Sequence, residues 1–219
     1  MQAVRVRSNE GAGEGLHALV LEVPSELAAG YTVPGQYVQL GRGEGKPAFM
    51  AIASAPGGDT FEFLIQRTDG MAGQICDVQA GDTLECSAVM GKGFAVDELD
   101  GREVVFMAGG TGISAVRAVI ESRSDWSGRL YYGARSPELM AYRDRFTDWE
   151  ARGVRVVPTL DEAHEGYFQG YPQQAYGADP LADASNAALV LCGPGPMCEA
   201  ATNLLVAAGM PVERALKNY

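Results

Sequence analysis

Val104-Val105-Phe106-Met107-Ala108-Gly109-Gly110-Thr111-Gly112-Ile113-Ser114 is an apolar run that stops at a glycine cluster and opens into a helical pattern. A buried strand, a glycine turn and a helix start in that order make a phosphate-binding device. The glycines let backbone approach an anion closely, and the helix N-terminus presents unpaired N–H groups with a favourable dipole. The chain repeats the arrangement near its end. Leu189-Val190-Leu191-Cys192 is a second apolar run, and Gly193-Pro194-Gly195-Pro196-Met197 leads into a second helical pattern. A glycine turn alone also serves plain helix–strand packing, and the first one lacks the G-x-G-x-x-G spacing and its acidic ribose partner. The ordered pair argues for a nucleotide seated across neighbouring strand ends.

Working outward, segments that alternate with helical patterns flank the first turn. Val104–Ala108, Arg129–Gly133, Val154–Thr159 and Ala187–Cys192 read as strands of a parallel sheet wrapped by helices. Ile113, Val116, Val119 and Ile120 share one helical face, as do Met197, Ala201, Leu204, Leu205 and Ala208. Residues 161–186 carry little pattern and read as a loop with a short helix. Before Asp100-Gly101 the rhythm differs. Leu16–Val23, Gly35–Leu40, Phe61–Gln66 and Thr83–Cys86 are short runs cut by turns, with a short helix around Gly73 to Val78. That pattern predicts an antiparallel barrel. The expected organisation is an N-terminal antiparallel β-barrel over 1–100 and a C-terminal α/β nucleotide-binding domain over 101–219.

Composition narrows the function. The 219 residues, 47% apolar and 21% charged, suit one large or two small globular domains. No apolar run nears the roughly 20 residues of a membrane span, and the first residues hold no apolar signal core. A cytoplasmic location is expected, with an organelle interior after removal of a transit peptide as the alternative. A net charge of −11 argues against a nucleic-acid partner. Cys76, Cys86, Cys192 and Cys198 form no zinc or iron–sulfur spacing, so no metal is expected and a reducing compartment is the simpler setting. His17, His164, Ser54 and Ser114 fit no hydrolytic arrangement.

A small barrel followed by an α/β half with G-G-T-G-I-S and C-G-P-G-P-M resembles the ferredoxin–NADP reductase superfamily over nearly the whole chain, closest to short members without an iron–sulfur module. The resemblance implies FAD on the barrel, NAD(P)H on the α/β half, hydride transfer between them, and onward transfer of electrons to an acceptor it leaves unidentified, a partner protein being one candidate. It assigns the pyrophosphate to Gly110, Thr111, Gly112 and Ile113, and the adenosine ribose to Arg135 and Ser136. Tyr142, with Arg143 beside it, is either an adenine contact or a surface residue. Arg135 and Ser136 favour a 2′-phosphate without deciding NADP over NAD. Cys192, Gly193, Pro194 and Met197 match the segment near the nicotinamide, where Cys192 is either a thiol beside the hydride-carrying carbon or a small buried hydrophobe.

The flavin half departs from the pattern Arg-x-Tyr-Ser. Ile52-Ala53-Ser54 anchors the alignment and puts Ala48, Met50 and Ala51 at the three seats. Lys46, Arg67, backbone at Ala51 and Ile52, and a helix N-terminus at Gly70-Met71-Ala72-Gly73 are the remaining candidates for holding FAD. Tyr219 would cover the flavin face as a terminal aromatic. Two readings stay open: FAD held through those groups, or a flavin-free nucleotide-binding or interaction protein that keeps only the NAD(P) half.

Overall fold

The computed structural model describes residues 1–217. Six antiparallel strands come first: β1 (Gln2–Gly13), β2 (Leu16–Glu22), β3 (Tyr37–Gly41), β4 (Ala48–Ala51), β5 (Thr60–Gln66) and β6 (Thr83–Cys86), with the short helices α1 (Ser25–Gly30) and α2 (Met71–Cys76) between them. They assemble in the order β4-β3-β6-β1-β2-β5. The two edges meet just after β4, where Ala53 N–H donates to the Glu62 carbonyl of β5 at 2.7 Å. Alternation along β5 sorts its side chains. Phe61, Phe63 and Ile65 fill the barrel interior with Leu19, Leu21, Val38 and Leu84, while Leu64 points to the other half of the molecule.

The second sheet is parallel, in the order β10-β9-β8-β7-β11-β12. Its strands are β7 (Glu103–Gly109), β8 (Gly128–Ala134), β9 (Val154–Leu160), β10 (Phe168–Gln169), β11 (Ala187–Cys192) and β12 (Ala215–Lys217), interleaved with α3 (Ile113–Glu121), α4 (Phe146–Ala151), α5 (Pro172–Ala178) and α6 (Gly195–Ala207). β7 is apolar on both faces because both are covered. Val104, Phe106 and Ala108 pack on the α3 side, and Val105 and Met107 on the α5–α6 side. The α3-side core also takes in Leu16, Leu64 and Phe94, so the outer wall of the barrel and the α/β lobe share one apolar interior.

Two helical faces differ from the sequence reading. Helix α3 is buried at every position from Ile113 to Ile120, Arg117 included, because the barrel covers the side that an isolated α/β lobe would leave in water. On α6 the buried stripe is Met197, Cys198, Ala201, Thr202 and Leu205. Leu204, expected on that stripe, is exposed, because the stripe that meets the sheet and α5 runs through Met197, Cys198, Ala201 and Leu205 instead.

Candidate active site

Strand order in the parallel sheet reverses between β7, whose next strand β8 lies on one side, and β11 on the other. Ligands of open α/β sheets bind outside the carboxyl ends of the strands at such a point. Both glycine turns lie there and pack directly on each other. A Cβ on Gly112 would come within 2.3 Å of the Cys192 carbonyl oxygen, and one on Gly193 within 2.9 Å of the Gly109 nitrogen. A Cβ on Gly109 would meet Pro194 Cδ at 2.8 Å. No side chain fits between the turns, so their backbones form one continuous floor.

Above that floor opens a cleft of about 1180 Å³ between the two lobes. Gly110, Thr111 and Gly112 line one end with Cys192, Gly193, Pro194 and Met197, and Arg135, Tyr171 and Gln173 line the other. The barrel contributes Phe49, Met50 and Ala51 from β4, together with Leu16, Leu64 and Gln66. Three polar atoms in the lining, Ser114 Oγ, Thr159 Oγ1 and Gln173 Oε1, are buried without a hydrogen-bond partner. Buried polar atoms in folded proteins are almost always paired, so three in the lining of one cleft, from α3, β9 and α5, signal a polar ligand. Large exposed aromatics stand on opposite sides: Phe49 at 59% exposure on the barrel and Tyr171 at 53% on the α/β lobe.

The cleft is poor in charge. Arg135 is the one cationic side chain lining it among the described residues, and Asp161 the one acidic side chain. Burial pushes the Cys192 thiol up to about 11, with neighbouring Cys198 adding to the shift. Cys192 is therefore a neutral, partly apolar surface at the end of β11 at physiological pH. Cys198 donates its S–H to the Gly193 carbonyl at 3.6 Å and braces that turn.

Several expected site residues lie elsewhere. Tyr142 does not reach the cleft. It has a left-handed backbone (φ 61°), and its ring is held in the interior between the Arg117 guanidinium, 4.6 Å from the ring centroid, and Trp149. Arg143 beside it is exposed outside the cleft. Ile113 is fully buried, and its N–H is taken by the Gly110 and Thr111 carbonyls, so it supports the turn from beneath. Ser136 follows Arg135 but interacts with Glu138 instead of lining the cleft. Ile52 is fully buried and its N–H is used by the Gln36 carbonyl at 3.2 Å, which removes it as a flavin contact through that group. Arg67, Gly70 and Gly73 line a separate surface depression, where Arg67 is ion-paired to Asp77 at 2.8 Å. Ala72 packs against the barrel core. Tyr219 lies outside the described residues.

The sequence reading missed a polar cluster that joins the two lobes. Arg117 of α3 is only 3% exposed, yet it is ion-paired to Glu62 of β5 at 2.8 Å and to Glu121 at 3.0 Å. Glu121 also accepts the Trp149 indole N–H at 3.1 Å. Burial opposes charge on the guanidinium, but the Glu121 hydrogen bond, Tyr142 and the two carboxylates outweigh it, and the net shift is upward. Helical spacing of Arg117 and Glu121 was legible as a surface pair; its burial depends on the other lobe.

Comparison with known proteins agrees with this geometry. Residues 106–203 match the oxidoreductase NAD-binding domain family. The chain is 35% identical to the fruit protein pKIWI502 of Actinidia deliciosa, covering 94% of this chain and 72% of that protein. It is 30% identical to the propane 2-monooxygenase reductase component of Rhodococcus jostii, covering 85% of this chain but 55% of that one, so it spans about half of that relative's length. Among solved structures, a ferredoxin NADP⁺ reductase of Neisseria gonorrhoeae with bound FAD and NADP superimposes with a TM-score of 0.82 at 19% identity, covering 95% of this chain and 91% of that one. The FAD/NAD-binding domain of a Vibrio cholerae nitric oxide dioxygenase gives 0.81 at 20% identity, covering 97% and 95%. Residues 106–203 thus belong to the oxidoreductase NAD-binding domain family, and the whole chain is a relative of pKIWI502 with the two-lobed fold of the ferredoxin NADP⁺ reductases.

Proposed function

We propose that the interlobe cleft brings NAD(P)H on the α/β floor face to face with a flavin, FAD, on the barrel wall, and that the chain passes reducing equivalents onward to a protein electron acceptor. In this reading residues 1–100 serve the flavin and 101–219 the nicotinamide nucleotide. The observation that carries it is the trio of unpaired buried atoms on Ser114, Thr159 and Gln173, set in a cleft at the switch point of the sheet. A dinucleotide fits that donor set: backbone N–H groups of Gly110–Gly112 take phosphate oxygens, the side chains of Thr159 and Gln173 suit ribose or base edges, and Arg135 suits an additional phosphate.

The barrel wall fits the flavin ring better than its phosphates. Phe49, Met50 and Ala51 make an apolar plate, but among the described residues no cation lines that wall. The bound groups supply hydride chemistry between nicotinamide and flavin. The chain itself orients them, excludes water through Leu16 and Leu64, and offers Cys192 as an uncharged packing surface near the ring that gives up hydride. No general base is needed, because the rate depends on holding the reacting atoms in near-attack contact, roughly 3–3.5 Å apart.

The test is an anaerobic titration of the purified protein with FAD and then NAD(P)H, read in the visible flavin band. Bleaching on coenzyme addition supports the reading. A preparation that binds NAD(P)H but takes up no flavin favours the second reading, a flavin-free nucleotide-binding protein, which the residues Ala48, Met50 and Ala51 support. A net charge of −11 argues against nucleic acid as a partner. No helix among the described residues is long and apolar enough to cross a membrane, and four free cysteines suit a reducing compartment, the cytoplasm or an organelle interior.

A further inference from the structure

We infer that Arg117 is a positioning residue whose ion pair with Glu62, buried on the arginine side and partly exposed on the other, sets the spacing between the flavin wall and the nicotinamide floor. The inference rests on the proposed function for its kinetic consequence, but its geometry is independent of any ligand. Arg117 sits one turn into α3, the helix that grows directly out of Gly110-Thr111-Gly112. Glu62 sits on β5 of the other lobe, and its main chain is tied to the segment that continues β4. Its carbonyl accepts the Ala53 N–H at 2.7 Å, and its N–H donates to Ser54 Oγ at 3.2 Å. Ala53 and Ser54 follow Phe49, Met50 and Ala51 by only a few residues. One side chain thus joins the helix under the coenzyme floor to the strand behind the flavin plate.

The pair is built for rigidity. Nη2 of Arg117 reaches Glu62 at 2.8 Å while Nε reaches Glu121 at 3.0 Å, and the plane of the guanidinium lies over the Tyr142 ring. Glu121 is itself fixed by Trp149. A planar fork held at two edges and one face has little freedom to slide. Elsewhere the described seam consists of apolar contacts through Leu16, Leu64 and Phe94 and a main-chain hydrogen bond from the Glu14 N–H to the Glu138 carbonyl at 3.0 Å; the apolar contacts hold the lobes together without fixing their register.

Glu62→Gln tests this while leaving Arg117 paired to Glu121. Three properties are compared with the wild-type protein: NAD(P)H dissociation constant, single-turnover flavin reduction at saturating FAD and NAD(P)H, and backbone amide exchange with small-angle scattering in the absence of ligands. The expected result is a coenzyme dissociation constant within about threefold, a reduction rate lower by about 10–100-fold, and faster exchange at Ala53 and along the start of α3. Arg117→Lys, which keeps charge but not the fork, is expected to fall between wild type and Glu62→Gln. Leu21→Val, a core change confined to the barrel, provides a protein of lowered stability with both lobes' pairing intact. Equal rate losses in Leu21→Val and Glu62→Gln at equal melting temperature would overturn the inference, as would a Glu62→Gln rate within about twofold of wild type. If the wild-type protein reduces no flavin, the oxidoreductase reading fails by itself. Unchanged exchange and scattering in Glu62→Gln would then overturn the positioning role separately.

Discussion

Alanine at Gly112 adds a single carbon where the two glycine turns touch. That Cβ would stand 2.3 Å from the Cys192 carbonyl oxygen and 2.9 Å from the Gly193 nitrogen. Ordinary contact begins at 3.4 Å, and the obstructing atoms are backbone, so the turns must part by about 1 Å. Overpacking of this kind costs about 1–3 kcal/mol. If the separation opens the floor of the cleft, coenzyme binding carries that cost. At about 1.4 kcal/mol per factor of ten, affinity for NAD(P)H falls by about 5–150-fold. The melting temperature drops with it, by about 2–4 °C for each kcal/mol in a chain of this length. Gly195→Ala is the matched control, since a Cβ there meets nothing within 4 Å. Fluorescence titration with NAD(P)H and a thermal melt of both variants decide the matter. A Gly112→Ala protein that melts earlier but binds coenzyme within about twofold of wild type would show that the turns serve packing alone, and the placement of the pyrophosphate would be wrong.

Four further outcomes are expected. Arg135→Ala should weaken NADPH by about tenfold or more, the worth of a charge-assisted bond, and leave NADH nearly unchanged; equal losses for both coenzymes would remove Arg135 from the 2′-phosphate. Ala48→Arg restores a cation to the flavin wall and should strengthen FAD by a similar factor while riboflavin binding stays constant, measured by flavin fluorescence quenching. Tyr171→Ala should weaken coenzyme binding by about 0.5–1.5 kcal/mol, the range for an aromatic stacking contact, with no change in melting temperature. Because burial holds the Cys192 thiol up to about 11, its neutral form stabilises the fold fully below the unfolded value of about 8.5; that contribution is lost as pH rises toward 11. Denaturant melts of Cys192→Ala should therefore lose less stability between pH 8 and 10 than wild type, and iodoacetamide should label Cys192 at pH 8 far more slowly than free cysteine.

The parallel sheet was legible because its strands are continuous apolar runs ending in turns with distinctive chemistry. Val104–Ala108 and Ala187–Cys192 fall inside β7 and β11. Strand β12 escaped notice, since three residues at a sheet edge carry no periodicity. On the barrel side β6 was read to the residue, while β4 is short and its alternation is masked by two alanines. The floor of the cleft was legible where backbone makes it, at Gly110, Thr111, Gly112 and Gly193. It was illegible where distant segments supply side chains. Tyr142 looked like an adenine contact because local sequence cannot show that Arg117 already occupies its face. Thr159 and Gln173 carry no signal until tertiary structure leaves them unpaired.

The scarcity of charge along the cleft has a consequence for how its ligand responds to the medium. A dinucleotide phosphate held by amide dipoles at van der Waals range is barely shielded by mobile ions, whose influence extends over about 8–10 Å at physiological strength. Among the described residues Arg135 is the one cation lining the cleft, with Asp161 of opposite sign in the same lining, while the molecule as a whole repels an arriving anion with a net charge of −11. Added salt should therefore quicken the encounter by damping that repulsion and scarcely alter the lifetime of the complex. Most nucleotide sites lined with lysine and arginine respond in the opposite sense.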